Sequence, residues 1–325
     1  MSTTAPAAPP PPNTPLYADA EHDGGPAARV PSRVVATWPA GHFVENLAVD
    51  AAGVVFLTVH SHHRVDRYDP STGVLRPWAS LPAPPAGLVA DGDGTLWVAG
   101  GEVGRSPGYV WRVRGAGVEA WVEIPDALFL NGAARHSDGR LLVADSIRGC
   151  VYAVDLGART AGVWLADARL TSARAGAPGV NGLKVFAGEV FLSVTDRNRL
   201  LRAAIGADGA CGPLRVWAER LRADDFALAD DGTAYVATHP ANSVLRLAPD
   251  GRRVTLAGPE DGAVGATAVA LAPPAREPGV AYVTTNGGLW LPYGGAVKPA
   301  KLLRLEVGVA AGGAACAPPA RGARP

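Results

Sequence analysis

The chain has 325 residues, 48% apolar and only 18% charged, enough material for a sizeable core, which excludes a mostly disordered protein. Its 30 basic residues balance 30 acidic ones, so no net positive field draws phosphate backbones or anionic lipid, and nucleic acid is not an expected partner. No apolar run approaches the roughly 18 residues that a membrane helix needs, and the first thirty residues lack a basic start and an apolar signal core. The expectation is therefore a cytoplasmic monomer with no membrane partner. Cys150, Cys211 and Cys316 are too few and too scattered for a disulfide framework or a thiolate metal site.

In chain order, residues 1–32 carry eight prolines among Ala, Gly and Ser and read as a disordered tail. The stretch RVVATWP at 33–39 has strand character. Six short apolar runs then follow six glycines: Gly53, Gly94, Gly139, Gly188, Gly232 and Gly279, at spacings of 41, 45, 49, 44 and 47. Each run is rich in β-branched and aromatic residues, and each is followed by a polar loop and a second apolar stretch. Units of this length with about four short strands are propeller blades. The predicted fold is all-β: one six-bladed β-propeller over 33–307, four-stranded blades around a central channel, with 33–39 supplying the outer strand of the last blade. Residues 308–325 return to Ala, Gly and Pro and read as a second disordered tail.

Counting back from the marker glycines identifies what each unit presents where its innermost strand begins. Eight residues back lie Glu45, Ala86, Asn131 and Asp224, and Asn181 lies seven back from Gly188; an insertion obscures the sixth unit. Equivalent positions in a ring converge on the axis, so these distant residues can share one site. Carboxylate and carboxamide oxygens are hard ligands that suit Ca²⁺, Mg²⁺ or Mn²⁺. The competing explanation for Asn131 and Asn181, each followed by Gly, is a simple turn.

The loops after the second strands should rim the same channel mouth. They carry His60 and His62 beside His63, then Asp145, Asp196, His239 and Asn286. Trp290 and Tyr293 lie in the glycine-flanked insertion NGGLWLPYGG, which suits either an apolar flap over a largely hydrophobic small molecule or, equally, a loop under which Trp290 packs as aromatic filler. GRSPG at 104–108 has the GxSxG spacing but runs into the strand-like GYVWRV and not into a helix as a nucleophile elbow does, and no phosphate-cradling glycine loop or HExxH occurs, so serine, phosphoryl-transfer and zinc-protease chemistries lose most of their weight.

The segments ENLAVD at 45–50, NGAARHSDG at 131–139, NGLKV at 181–185 and DDFALADDG at 224–232 resemble the regucalcin and gluconolactonase family of six-bladed propellers, over residues 33–307. The resemblance implies that Glu45, Asn181 and Asp224 are metal ligands, that Asn131 contacts substrate or metal, and that Asp224 is the general base of lactone hydrolysis. Asn46 and Asp225 stand where that family usually has glycine, which puts bulk and another charge, Asp225, beside the substrate. The phrases ENLAV, FLNG, GVNG, DDFA and VTTNGG are more similar to a subgroup that includes fungal hetero-Diels-Alderases. Two activities follow. The first is a natural-product cyclase that orients and polarises its substrate, with no cofactor, through Asn131, Asn181, His60 and His239. The second is a divalent-metal-dependent lactonase. A binding propeller without catalysis is the third reading, since fold alone does not decide function.

Overall fold

The marker glycines answer a backbone requirement. Each adopts a positive φ, between 69° and 92°, in the hairpin joining the first two strands of a blade, where an L side chain is strained. The run after each glycine is buried along most of its length, as in Val55–Val59, Leu141–Asp145 and Ala234–Thr238. These second strands are sandwiched between neighbouring blades on both faces, so they read as continuous apolar runs without alternation.

The computed structural model describes residues 23–174 and 176–308. These residues form six four-stranded antiparallel sheets in a ring, a six-bladed β-propeller. Blade one is Val44–Val49, Val55–Val59, Arg64–Asp69 and Val74–Ser80, and blades two to five repeat its order along the chain. Blade six joins Ala266–Leu271, Val280–Thr285 and Pro299–Glu306 to Ser32–Ala40 from the start of the described chain. That outer strand pairs from Ser32 with Leu305 to Ala40 with Pro299, closing the ring at the segment that the sequence assigns to closure. Trp38 locks the closure: it is buried, and its indole Nε1 donates to Asp66 of blade one at 2.8 Å, while Arg64 holds the other Asp66 oxygen at 2.6 Å.

Apolar packing lies between blades. One cluster joins Leu142 and Val151 of blade three to Val180 and Leu192 of blade four, and another joins Phe191 and Leu200 of blade four to Phe226 and Val236 of blade five. Residues 23–31, expected within the first tail, instead lie along the outer edge of blade five. Ala28 and Val30 donate backbone hydrogen bonds to the carbonyls of Thr255 and Leu256, which occupies edge groups of the strand Arg253–Ala257. The remainder of both expected tails, 1–22 and 309–325, lies outside the described residues. Among the described residues, no helix is long and apolar enough to cross a membrane.

Candidate functional site

A bulge places each functional side chain. In blade one Val44 pairs with Val59 and Leu47 with Leu57, so one extra residue is accommodated around Glu45 and Asn46. The same slip occurs at Ala86–Gly87, Asn131–Gly132 and Asn181–Gly182, and at Thr267 in blade six. In blade five the bulge is read from hydrogen bonds: the Asp224 N–H donates to the Ala237 carbonyl, and the Ala237 N–H donates back to Asp225. A bulge turns the strand and re-aims its side chain. Six equivalent bulges bring Glu45, Ala86, Asn131, Asn181, Asp224 and Thr267 to one level of the ring.

Hydroxyls on neighbouring blades hold these bulges. Thr58 Oγ1 donates to the Ala86 carbonyl at 2.8 Å, Ser146 Oγ to that of Val180 at 2.7 Å, and Thr195 Oγ1 to that of Ala223 at 2.9 Å. Thr267 Oγ1 donates to the Val44 carbonyl at 2.9 Å, which ties blade six to blade one. Sequence reasoning overlooked these residues. Their signal is a Thr or Ser within or directly after an apolar second strand, as for Thr58, Ser146 and Thr195, or at the bulge of the first strand, as for Thr267.

Four of the ring residues form two linked pairs. Asn131 donates a hydrogen bond to Glu45, and Asn181 Nδ2 donates to Asp224 Oδ1 and to Thr195 Oγ1. All four side chains are buried. Burial, and then the charge of Asp225, push the Glu45 carboxyl up to about 8, against the hydrogen bond from Asn131. Burial, and then the charge of Glu45, hold Asp224 well above the usual carboxylate range. Two buried acids, of which one opposes the ionisation of the other, need a proton or a cation between them. Glu45 Oε2 and Asn131 Oδ1 are buried without a hydrogen-bond partner. Orphaned acceptor oxygens of this kind are what a hard cation takes up. The donor set therefore fits a divalent cation through two carboxylates and two carboxamides. Among the described residues, no three His, Cys, Asp or Glu side chains form a metal-holding group of their own.

Asn46 and Asp225, expected to crowd the substrate, turn to each other. Asn46 Nδ2 donates to Asp225 Oδ2 at 3.1 Å across the channel, and Lys184 Nζ meets Asp225 Oδ1 at 2.6 Å. Glycine fills the matching positions in blades two to four because the strands touch there. A Cβ on Gly87 would lie 2.1 Å from the Asn131 carbonyl oxygen, and one on Gly132 would lie 2.3 Å from that of Asn181. The next residues after the ring thus span the channel with a polar bolt of Asn46, Asp225 and Lys184. Lys184 went unremarked in the sequence because its partner is 41 residues away.

At the mouth, the equivalent loops diverge. Asp145 accepts from the backbone of Leu128, Phe129, Ile147 and Arg148, and Asp196 accepts from Ser172 and Ala173, so both hold loops. His60 Nδ1 donates to the Pro85 carbonyl at 3.0 Å, and burial lowers its pKa to about 4. His239 Nε2 accepts from Asn286 Nδ2 at 2.8 Å, and burial again lowers its pKa to about 4. The Asn286 Oδ1 accepts from the Gly288 and Leu289 N–H groups, which fixes the amide and hence the His239 tautomer. His62 is exposed and stacks on His42 at 3.8 Å, outside this arrangement. Trp290 makes a T-shaped contact with Phe43, and Tyr293 is exposed in the same loop. Two surface cavities, of ≈ 610 and ≈ 370 Å³, are lined by blade five with Pro26 and by blades three and four; neither contains a ring residue. The chemistry, not those volumes, locates the site.

Comparison with solved structures places this architecture among known propellers. A luciferin-regenerating enzyme superposes with a TM-score of 0.67 at 13% identity, covering 87% of this chain and 96% of its own. Regucalcin from Agrobacterium tumefaciens, a calcium-binding protein, gives 0.63 at 16% identity over 87% and 96%. A protein assigned as a gluconolactonase gives 0.63 at 17% over 91% and 97%. No family model and no curated protein matches the sequence. At these identities the chain shares the regucalcin and gluconolactonase type of six-bladed fold.

Proposed function

We propose that this protein opens small lactones by hydrolysis, with a divalent cation held by Glu45, Asn131, Asn181 and Asp224. The observation that carries the reading is the buried pair of carboxylates with partnerless oxygens on Glu45 and Asn131. The likeness in fold to a gluconolactonase and to a calcium-binding regucalcin supports it. A cation bound there would polarise the lactone carbonyl and lower the pKa of a bound water. Asp224 is the base. Buried at the ring level beside Glu45, its carboxylate is placed to take a proton from that water. Asn181 fixes the carboxylate through its hydrogen bond, and Ser193 fixes the Asp224 backbone carbonyl. With the Asn46, Asp225 and Lys184 bolt spanning the channel beyond the ring, the mouth is the side from which substrate would enter.

A second reading is the cyclase, which needs placement and hydrogen-bond donors but no cation. The neutral imidazoles of His60 and His239 beside Trp290 favour it. It leaves the partnerless carboxylate oxygen without a use, which ranks it second. A pH-stat assay on γ- and δ-lactones with chelator-stripped and cation-reloaded protein separates the two. The hydrolase predicts reversible loss of nearly all activity on stripping, and a fall of about 10² or more in kcat for Asp224→Asn. No lactone opening, with chelator-resistant acceleration of an oxadiene–alkene cycloaddition, would reverse the ranking.

A further inference from the structure

The rings at the channel mouth form a continuous wall. Phe129 lies 6.4 Å from His60, His60 5.0 Å from Phe43, Phe43 4.5 Å from Trp290 and Trp290 6.1 Å from His239, measured between ring centres, and every contact is edge-to-face. The five rings come from blades three, one, six and five. Blade two presents only Ala86 at the ring level, and the His60 ring hydrogen-bonds to its Pro85 carbonyl, so the wall runs unbroken past it. The wall carries no charge at neutral pH, because burial lowers both imidazole pKa values to about 4.

A second observation points the same way. The exposed large apolar side chains fall in two groups: Val34, Val74, Val163 and Val216 on the outermost strands, and Val103, Ile147, Trp290 and Tyr293 in the loops after second strands, at the mouth. Water is a poor partner for the second group, which stands above a polar ring. Trp290 is 44% exposed although it already packs against Phe43, so much of its ring stays open to a ligand. Phe129 is likewise half-buried, on a loop that Asp145 fixes through two backbone hydrogen bonds.

We infer that the arc of Phe129, His60, Phe43, Trp290 and His239 is a subsite for a flat, uncharged aromatic or unsaturated substituent on the substrate. The inference rests on the hydrolase reading for the reacting group: the lactone ring sits at the carboxylate level and its apolar substituent lies along the wall. A polyhydroxylated sugar lactone is the wrong class. Its hydroxyls would lose water against carbon and gain few partners. Edge-to-face and offset contacts with aromatic rings favour the flat substituent instead.

The test uses cation-loaded protein and three lactones: a phenyl-substituted δ-lactone, unsubstituted δ-valerolactone and glucono-δ-lactone. The phenyl lactone is expected to exceed the sugar lactone in kcat/KM by about tenfold or more, within the range that one apolar pocket contributes. Trp290→Ala should lower kcat/KM on the phenyl lactone about tenfold more than on δ-valerolactone, and Trp290→Phe should restore most of the difference. A preference for the sugar lactone, or an equal loss on all three in Trp290→Ala, would overturn the inference. If no lactone is opened, the hydrolase reading fails, and calorimetry with a phenyl-substituted δ-lactam still tests the wall. Lactam binding weakened in Trp290→Ala upholds it. Absence of binding overturns it, as does Trp290-dependent binding to phosphatidylcholine vesicles without lactam binding, which would make the mouth a lipid contact.

Discussion

Glu45 is where burial and charge oppose each other most sharply. Its folded pKa of about 8 lies above the ordinary 4.5, so it contributes stability fully below pH 4.5 and loses it as pH rises through 8. His60 and His239 work in the opposite sense. Their folded values of about 4 lie below 6.5, so stability is lost as pH falls from 6.5 through 4. Between pH 6.5 and 8 only the carboxylates still act. Chelator-stripped protein should lose on the order of 1–2 kcal/mol across that window, Glu45→Gln should remove most of the loss, and a divalent cation should abolish it. Thermal melts at fixed ionic strength check this; a flat profile in stripped protein would contradict it. Asp225 poses a different problem, a buried carboxylate satisfied by Lys184, Asn46 and the Phe226 N–H. Lys184→Met should cost about 3 kcal/mol by leaving that charge unpaired, and adding Asp225→Asn should recover most of it. Urea denaturation of the two single variants and the double variant measures the coupling, and additive losses would refute the bolt.

Among the elements, legibility followed burial. The second strands are sandwiched on both faces, so their composition alone announces them, as with Val55–Val59 and Val280–Thr285. The outer strands face solvent, and Arg215–Glu219 is exposed or half-buried at most positions, so its pattern carried little signal. The closing strand Ser32–Ala40 could be placed because its Val and Trp residues had no other partner in the repeat. The mouth loops were the least readable. Asp145, Asp196, His239 and Asn286 hold equivalent places, yet two carboxylates hold backbone while the imidazole and amide pair with each other. Such choices depend on contacts between neighbouring loops, which spacing does not encode. Closure gives an element-scale prediction. Trp38→Ala should destabilise the propeller by about 3–5 kcal/mol, through a lost buried indole and an exposed ring seam. Asp66→Asn should cost less, because the indole remains packed. Equal losses would mean that the hydrogen bond, not the packing, closes the ring.

At the scale of the molecule, the ring converts distance in sequence into proximity. Glu45 and Asp224 stand 179 residues apart, yet the charge of Glu45 raises the pKa of Asp224 through the repeat geometry that the glycine spacing revealed. The repeat also explains why Asn46 and Asp225 find each other, a contact that their position beside the site did not foretell. The central claim is that this convergence builds a site for one hard cation. Calorimetric titration of Ca²⁺, Mg²⁺ and Mn²⁺ into chelator-stripped protein tests it most directly. The account predicts one equivalent of at least one of these ions per chain, with affinity reduced about tenfold or more in both Glu45→Gln and Asp224→Asn. No binding by the folded wild-type protein, or binding that neither substitution weakens, would contradict it.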